Sequence, residues 1–214
     1  MKNGVKFKNV QADFRLLKNS EIATHSARFF KTGKNEYGEG DKFLGIRMPV
    51  IRKQAKYYKE LPFEALLRFL KSVYQEERLL ALVMMTNLFK KGSEEERQEI
   101  FDEYLGHTDF INNWNLVDIS APHIVGAFLE HRSRKVLREL AVSESLWERR
   151  IAIIATFYFI RQADFKDTLS ISRTLRDDSE DLIHKAVGWM LREIGNRDLD
   201  VERKFLNRNY KKMP

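Results

Sequence analysis

The sequence predicts an all-α chain in which antiparallel helix pairs stack as an α-solenoid. Three observations predict it: a 3.6-residue apolar rhythm in nearly every segment, similar apolar helices recurring about every 35 residues, and few turn-forming residues. Ten Gly and only four Pro among 214 residues are too few for an all-β protein of many tight turns. Apolar residues make up 43% and charged residues 32%, enough for a core and outside the range of disordered chains.

In chain order, MPVIRKQAKYYKEL, PFEALLRFLKS, EERLLALVMMTNLFKK, SEEERQEIFDEYLGH, SRKVLRELAVS, LWERRIAIIATFYFIR, FKDTLSISRTLRDD and DLIHKAVGWMLREIG fit amphipathic or buried helices. The connections, such as KGSEEE and RDDSED, are short and polar, and no segment alternates as a strand would. Four apolar-rich helices open alike: EERLLAL from 76, NNWNLVD from 112, LWERRIAI from 146 and DLIHKAVGW from 181, at spacings of 36, 34 and 35 residues. More polar partner helices lie between them. A two-helix unit of this length is the mark of a HEAT-like or armadillo-type superhelix. Residues 1–214 are therefore expected to form a single repeat domain, with residues at matching positions of the four helices lining one groove.

Residues 31–45, KTGKNEYGEGDKFLG, break the rhythm and hold four of the ten Gly. Gly38-Glu39-Gly40 lacks the third glycine and the preceding strand of a dinucleotide fingerprint. A structured loop is expected instead, whose Lys31, Lys34, Lys42 and neighbouring Arg47 can meet phosphates. The net charge of +7 gathers here, because residues 1–60 carry 14 Lys+Arg against 6 Asp+Glu. Such a footprint suits a polyanion, although a solvated basic surface reads the same way on charge alone.

Other classes are excluded. With no Cys, disulfides and thiolate metal sites are ruled out and a reducing compartment is suitable. The start, MKNGVKFKNVQADF, has no apolar signal core, and IAIIATFYFI at 151–160 is too short to span a bilayer. The expectation is a cytoplasmic protein without a membrane partner. Five scattered His make no metal motif, and neither a phosphate-binding loop nor a nucleophile elbow occurs. No metal or other cofactor is expected.

The stretch INNWNLVDISAP, 111–122, holds the main candidates. Trp114 and Asp118 stand one helical turn apart in otherwise apolar surroundings, and an acid so placed is costly unless paired, solvated in a cleft, or used. The third repeat places Arg149 and Arg150 just after Trp147, and the fourth carries Lys185, Trp189 and Arg192 as one stripe. Singly, each Trp reads as core and each Arg as a rim ion-pair partner. Together, on equivalent helices, they suggest a groove.

EYGEGDKFLGIRMPVIRK (36–53), EERLLAL, INNWNLVD, LWERRIAI and HKAVGWMLRE (184–193) resemble the AlkD-type DNA alkylation repair proteins, the HEAT-like-repeat DNA glycosylases. The resemblance implies hydrolysis of the N-glycosidic bond of cationic N3- or N7-alkylated purines in double-stranded DNA. Carried over by motif, Asp118 would be the catalytic carboxylate, Trp114 and Trp189 would flank the lesion nucleotide, and Arg150 would contact the adjacent backbone. Arg192, Lys185, Arg47, Lys42 and Lys34 are candidates for phosphate contact. No site lysine offers an amine nucleophile, so a monofunctional enzyme is expected, probing DNA as a monomer. An alkylated purine already carries positive charge and needs little protonation to leave. The site must instead stabilise the sugar as it becomes oxocarbenium-like, which a carboxylate can do.

Three departures from the family pattern stand out. Asn115 occupies a position that is Asp in some members, Phe29 one that is Tyr in some, and the sequence ends at NRNYKKMP where members typically continue into another basic helix. A non-catalytic solenoid that binds branched or damaged DNA through the same groove is the alternative, and a protein-interaction scaffold is a third reading.

Overall fold

Where the sequence supplies an acceptor side chain ahead of an apolar run, a helix starts. The computed structural model describes residues 7–213, whose regular elements are all helices. One isolated bridge, Lys42 with Tyr74, is the single β-type pairing among the described residues. They gather into two compact units: the chain through Lys91 with Asp109–Leu116, and Gly92–Thr108 with Val117 onward.

In the first unit, α1 (Phe7–Leu16) buries Val10 and Phe14. Helix α2 (Ser20–Phe29) is capped by the Asn19 side chain, which accepts from the Ile22 amide. Both precede the first segment where the apolar period is legible. Helix α3 (Met48–Tyr57) follows the glycine-rich loop and carries Pro in its first turn, where the missing N–H costs nothing. Helices α3 and α4 (Phe63–Leu70) pack against α5 (Gln75–Lys91). Every residue of α5 from Gln75 to Thr86 is buried, so this stretch has no solvent face and is the centre of this unit.

The second unit opens with α6 (Glu94–Leu105), whose capping box joins the Ser93 side chain to the Glu96 amide and the Glu96 carboxylate to the Ser93 amide. Helix α7 (Trp114–Ser120) starts in the first unit and ends in this one. The helix expected over 111–122 is shorter because Pro122 has no N–H to give. The ladder shifts there to a five-residue step, Gly126 N–H to Ala121 C=O at 2.9 Å, in a π-turn over Pro122–Gly126. A side chain on Gly126 would meet the Ala155 carbonyl at 2.3 Å, so only glycine allows this approach.

Helices α8 (Lys135–Leu140), α9 (Leu146–Ala155), α10 (Phe157–Ile160), α11 (Lys166–Thr174), α12 (Asp181–Gly195) and α13 (Leu199–Asn209) complete the unit. The span expected as one helix, LWERRIAIIATFYFIR, is interrupted at Thr156, whose hydroxyl bonds back to the Ile153 carbonyl at 2.6 Å. Helix α9 packs on α8, α11 and α12, and α13 covers α12.

A repeated hydrogen-bonding device marks the period in three dimensions. In the first unit Ser72 Oγ donates to Glu77, accepts the Tyr74 amide, and its backbone carbonyl accepts from Arg78. In the second, Ser143 does the same with Glu148, the Ser145 amide and Arg149. Ser72 and Ser143 are 71 positions apart, two periods of about 35. This register pairs Glu77 with Glu148, one residue away from the pairing of Glu76 with Leu146 suggested by apolar pattern alone.

Candidate functional site

Asp118 lies near the C-terminal end of α7, in the second unit. Both its oxygens accept from one guanidinium: Arg150 Nε to Oδ1 at 3.0 Å and Nη2 to Oδ2 at 2.9 Å. The remaining fork nitrogen, Nη1, donates to the Leu182 carbonyl on α12 at 2.5 Å. Arg150 thus joins three equivalent helices at equal separations of 32 residues. Only arginine has a planar fork that serves a carboxylate with one edge and a carbonyl with another. Its side chain is 6% exposed and that of Asp118 19%, so the acid keeps an open side while the base is sealed. Three of the five N–H donors of the Arg150 guanidinium thus face protein acceptors.

Burial pushes the Asp118 carboxyl above its ordinary value, against the opposing pull of the Arg150 hydrogen bonds and charge. Below it, Tyr104 and Ser120 share a buried hydroxyl–hydroxyl bond of 2.9 Å. Burial, together with the nearby Asp118 charge, raises the Tyr104 phenol so that it stays protonated.

Trp189 is half-buried on α12, two turns or roughly 10 Å beyond Leu182. Its indole N–H donates to Glu193 at 3.2 Å, and its ring lies 5.8 Å from that of Phe157 at a tilt of 44°. Glu193 is held charged by Arg197 at 2.8 Å. The indole is therefore pinned at its edge. Lys185 is exposed and paired with Asp181 at 2.5 Å, and Arg192 is exposed. Arg149 is a structural ion-pair partner, bound to Asp178 through Nε at 2.6 Å.

In the first unit, Trp114 belongs to an aromatic stack. Its ring lies 5.3 Å from Phe30 at 29°, Phe30 lies 5.2 Å from Phe43 at 11°, and Phe29 meets Trp114 edge-on at 6.0 Å. Phe29 is 58% exposed, an open aromatic beside a basic loop. Lys34, Lys42 and Arg47 are all exposed. Phe30 and Phe43 were not singled out by pattern, because aromatics beside glycines carry no period. Asn115, the departure noted above, accepts a hydrogen bond from Gln75 at 2.9 Å. Among the described residues, no group of three or more His, Asp or Glu is placed to hold a metal ion, and no helix is long and apolar enough to cross a membrane.

Comparison with known proteins gives concordant results. A profile of the family described as "DNA alkylation repair enzyme" matches residues 10–214. Among solved structures, the chain is similar to a predicted DNA alkylation repair enzyme from Enterococcus faecalis, with a TM-score of 0.68, 19% identity and 89% of each chain covered. It is also similar to AlkD2 from Streptococcus mutans, with a TM-score of 0.52, 18% identity, and coverage of 94% of this chain and 87% of that one. The protein smu.31 from Streptococcus mutans UA159 gives a TM-score of 0.52 at 19% identity with the same coverage. These likenesses carry the HEAT-like helical fold. No curated protein matches significantly.

Proposed function

The chain belongs to the DNA alkylation repair enzyme family, and from that premise we propose that it is a monofunctional glycosylase acting on cationic N3- and N7-alkylated purines in duplex DNA. The observation that carries this reading is the Asp118 carboxylate, oriented by a sealed Arg150 yet open on one side. A carboxylate fixed from behind loses no rotamer freedom when it acts and needs no reorganisation as charge develops.

In this reading the C1′–N bond lengthens, the bonding pair leaves with the base, and the base's positive charge is discharged. Asp118 stabilises the cationic sugar and orients water, whose oxygen bonds to C1′ and whose proton is lost to solvent. Arg150 is a positioning residue here. An indole face attracts a charged nucleoside by roughly 0.5–2 kcal/mol through cation–π contact, and Trp189, in the same unit as Asp118, and Trp114, in the other, are each proposed for such a contact. Lys34, Lys42, Arg47, Lys185 and Arg192 meet the phosphate backbone.

The test is release of 7-methylguanine or 3-methyladenine from methylated duplex DNA by the wild type and by Asp118→Asn. Release by the wild type that falls at least a hundredfold in the variant, with DNA affinity held or raised, is expected. Equal release by both removes Asp118 from the chemistry. A second reading draws on the same ion pair: Arg150 neutralises Asp118, so the surface can bind DNA without excising anything. Salt-sensitive binding without release by the wild type would favour it.

A further inference from the structure

The opening turn of α5, Gln75-Glu76-Glu77-Arg78, has no part in the chemistry above, yet its four consecutive polar residues are only 0–3% exposed. Polar groups buried at the head of an apolar helix are costly unless satisfied. Here each addresses a different segment of the first unit. Gln75 Nε2 donates to Asn115 at 2.9 Å. Glu76 accepts three consecutive backbone N–H groups, from Leu44 at 2.8 Å, Gly45 at 2.8 Å and Ile46 at 3.3 Å. Glu77 accepts from Gln11, Arg15 and Ser72, and Arg78 pairs with Asp41 at 2.7 Å.

Two of these routes end at Trp114. Glu76 fixes the segment that follows Phe43, the Phe43 ring stacks on Phe30, and Phe30 stacks on Trp114. Gln75 holds Asn115, the residue next to Trp114. The clamped segment is closed from its other side too. Gly45 has φ +78°, and a Cβ there would lie 2.1 Å from the Asn19 carbonyl and 2.6 Å from the Ala23 amide, so the loop cannot shift toward α2. The loop backbone is tied twice more, Lys42 N–H to Val73 and Gln75 N–H to Lys42, at 3.1 and 2.9 Å.

We propose that Gln75 and Glu76 are positioning residues for Trp114, a buried polar clamp that sets the Phe43–Phe30–Trp114 stack before DNA arrives. The proposal rests on the lesion-facing role given to Trp114 above. An indole already in place loses less side-chain freedom on meeting its ligand than one that must be ordered. Glu76 has the chemistry for this, since a carboxylate is acceptor-only and can face three donors at once. An amide cannot: in Glu76→Gln one of the three loop N–H groups would face an NH2.

The test uses the chain with Trp147→Phe and Trp189→Phe, so that fluorescence reports Trp114 alone among its three Trp. In that background Glu76→Gln and Gln75→Ala should shift Trp114 emission to the red and make it easier to quench with acrylamide. In the otherwise native chain, each should lower affinity for a duplex bearing a stable cationic nucleotide analogue by about five- to tenfold, the worth of one cation–π contact. Affinity for undamaged duplex should hold. Glu77→Gln is the control, since it lies on the same turn but serves Gln11, Arg15 and Ser72. It should lower the urea midpoint without moving Trp114 emission. Unchanged Trp114 emission in both clamp variants overturns the proposal, as does an equal shift in Glu77→Gln. If Glu76→Gln does not fold, Gln75→Ala carries the test alone. A shift in emission with no preference for the cationic duplex, even in the wild type, would leave the clamp standing and refute the role of Trp114.

Discussion

Replacing Arg150 with Met removes a guanidinium and keeps most of its volume, which isolates the charge. Three contacts disappear: two charge-assisted bonds to Asp118 and one to the Leu182 carbonyl. Each charge-assisted bond is worth about 1.5–3 kcal/mol, and breaking a buried pair by deleting one partner costs about 3–5 kcal/mol. Asp118 retains an open side and can also take up a proton, so the loss at neutral pH should fall near the lower end, about 2–4 kcal/mol. The pH dependence is the sharper part. Both influences of Arg150 lower the Asp118 pKa, and burial raises it. Without Arg150 only burial remains, so the folded-state pKa rises above that of the wild type. A raised folded pKa means that ionising the group opposes folding, and the penalty is relieved as pH falls through that pKa. The difference in urea unfolding free energy between wild type and variant should therefore shrink on acidification. A difference below about 1 kcal/mol, or one equal at pH 5 and pH 7.5, would refute the claim that this ion pair sets the state of Asp118.

Two further outcomes follow from the same geometry. On the proposed reading base release requires ionised Asp118, whose carboxyl burial holds above the ordinary 3.8. The acid limb of the single-turnover rate should accordingly lie above that value, and a limb at or below it would argue against Asp118 as the titrating group. Duplex affinity should fall with salt, and Lys42→Gln or Arg47→Gln should each reduce the log–log slope by about 0.9, one phosphate contact. Lys185→Gln should reduce it less, because Lys185 already engages Asp181 at 2.5 Å. Unchanged slopes in all three variants would remove these residues from the backbone contact.

The helices with a clear apolar period were the most legible in the sequence. Helix α12 matches its expected span, DLIHKAVGWMLREIG, because its apolar stripe is clean and it lies between charged turns. Helices α1, α2 and α13 were not expected, since α2 buries no residue fully and α13 buries little. The candidate acid was legible because one carboxylate in an apolar helix is conspicuous. Its pairing with Arg150 was not legible: sequence puts Arg150 on a groove helix but does not say which way its fork points. The burial of the polar turn Gln75–Arg78 was not legible, since acids in a helix's first turn are favourable when solvated. The burial of that turn depends on the three-dimensional placement of the loop whose Leu44, Gly45 and Ile46 amides Glu76 accepts.

If Asp118 acts on DNA as proposed, a carboxylate facing a polyanion presents an electrostatic conflict, and its pairing with Arg150 meets it in a specific way. A bare acid would repel phosphates and, half-buried, would tend to take up a proton, leaving no charge with which to steady a cationic sugar. An exposed arginine beside it would be drawn to phosphate and leave the acid when DNA came. Arg150 avoids both outcomes because it is sealed inside the helix stack and anchored by a third bond to a backbone carbonyl that DNA cannot displace. The field from the pair is then close to neutral at the distance of a phosphate, where both charges are felt together. At the distance of a sugar lying against its open side, the nearer carboxylate dominates. On the proposed function, the order in which the two charges are stacked would favour a cation at short range and tolerate phosphates at longer range. Exchanging their depths, with Asp118→Arg and Arg150→Asp together, keeps the pair but reverses that order. On the proposed function such a variant should keep the ion pair and lose release of 7-methylguanine from methylated duplex DNA; undiminished release would refute this account of the pair.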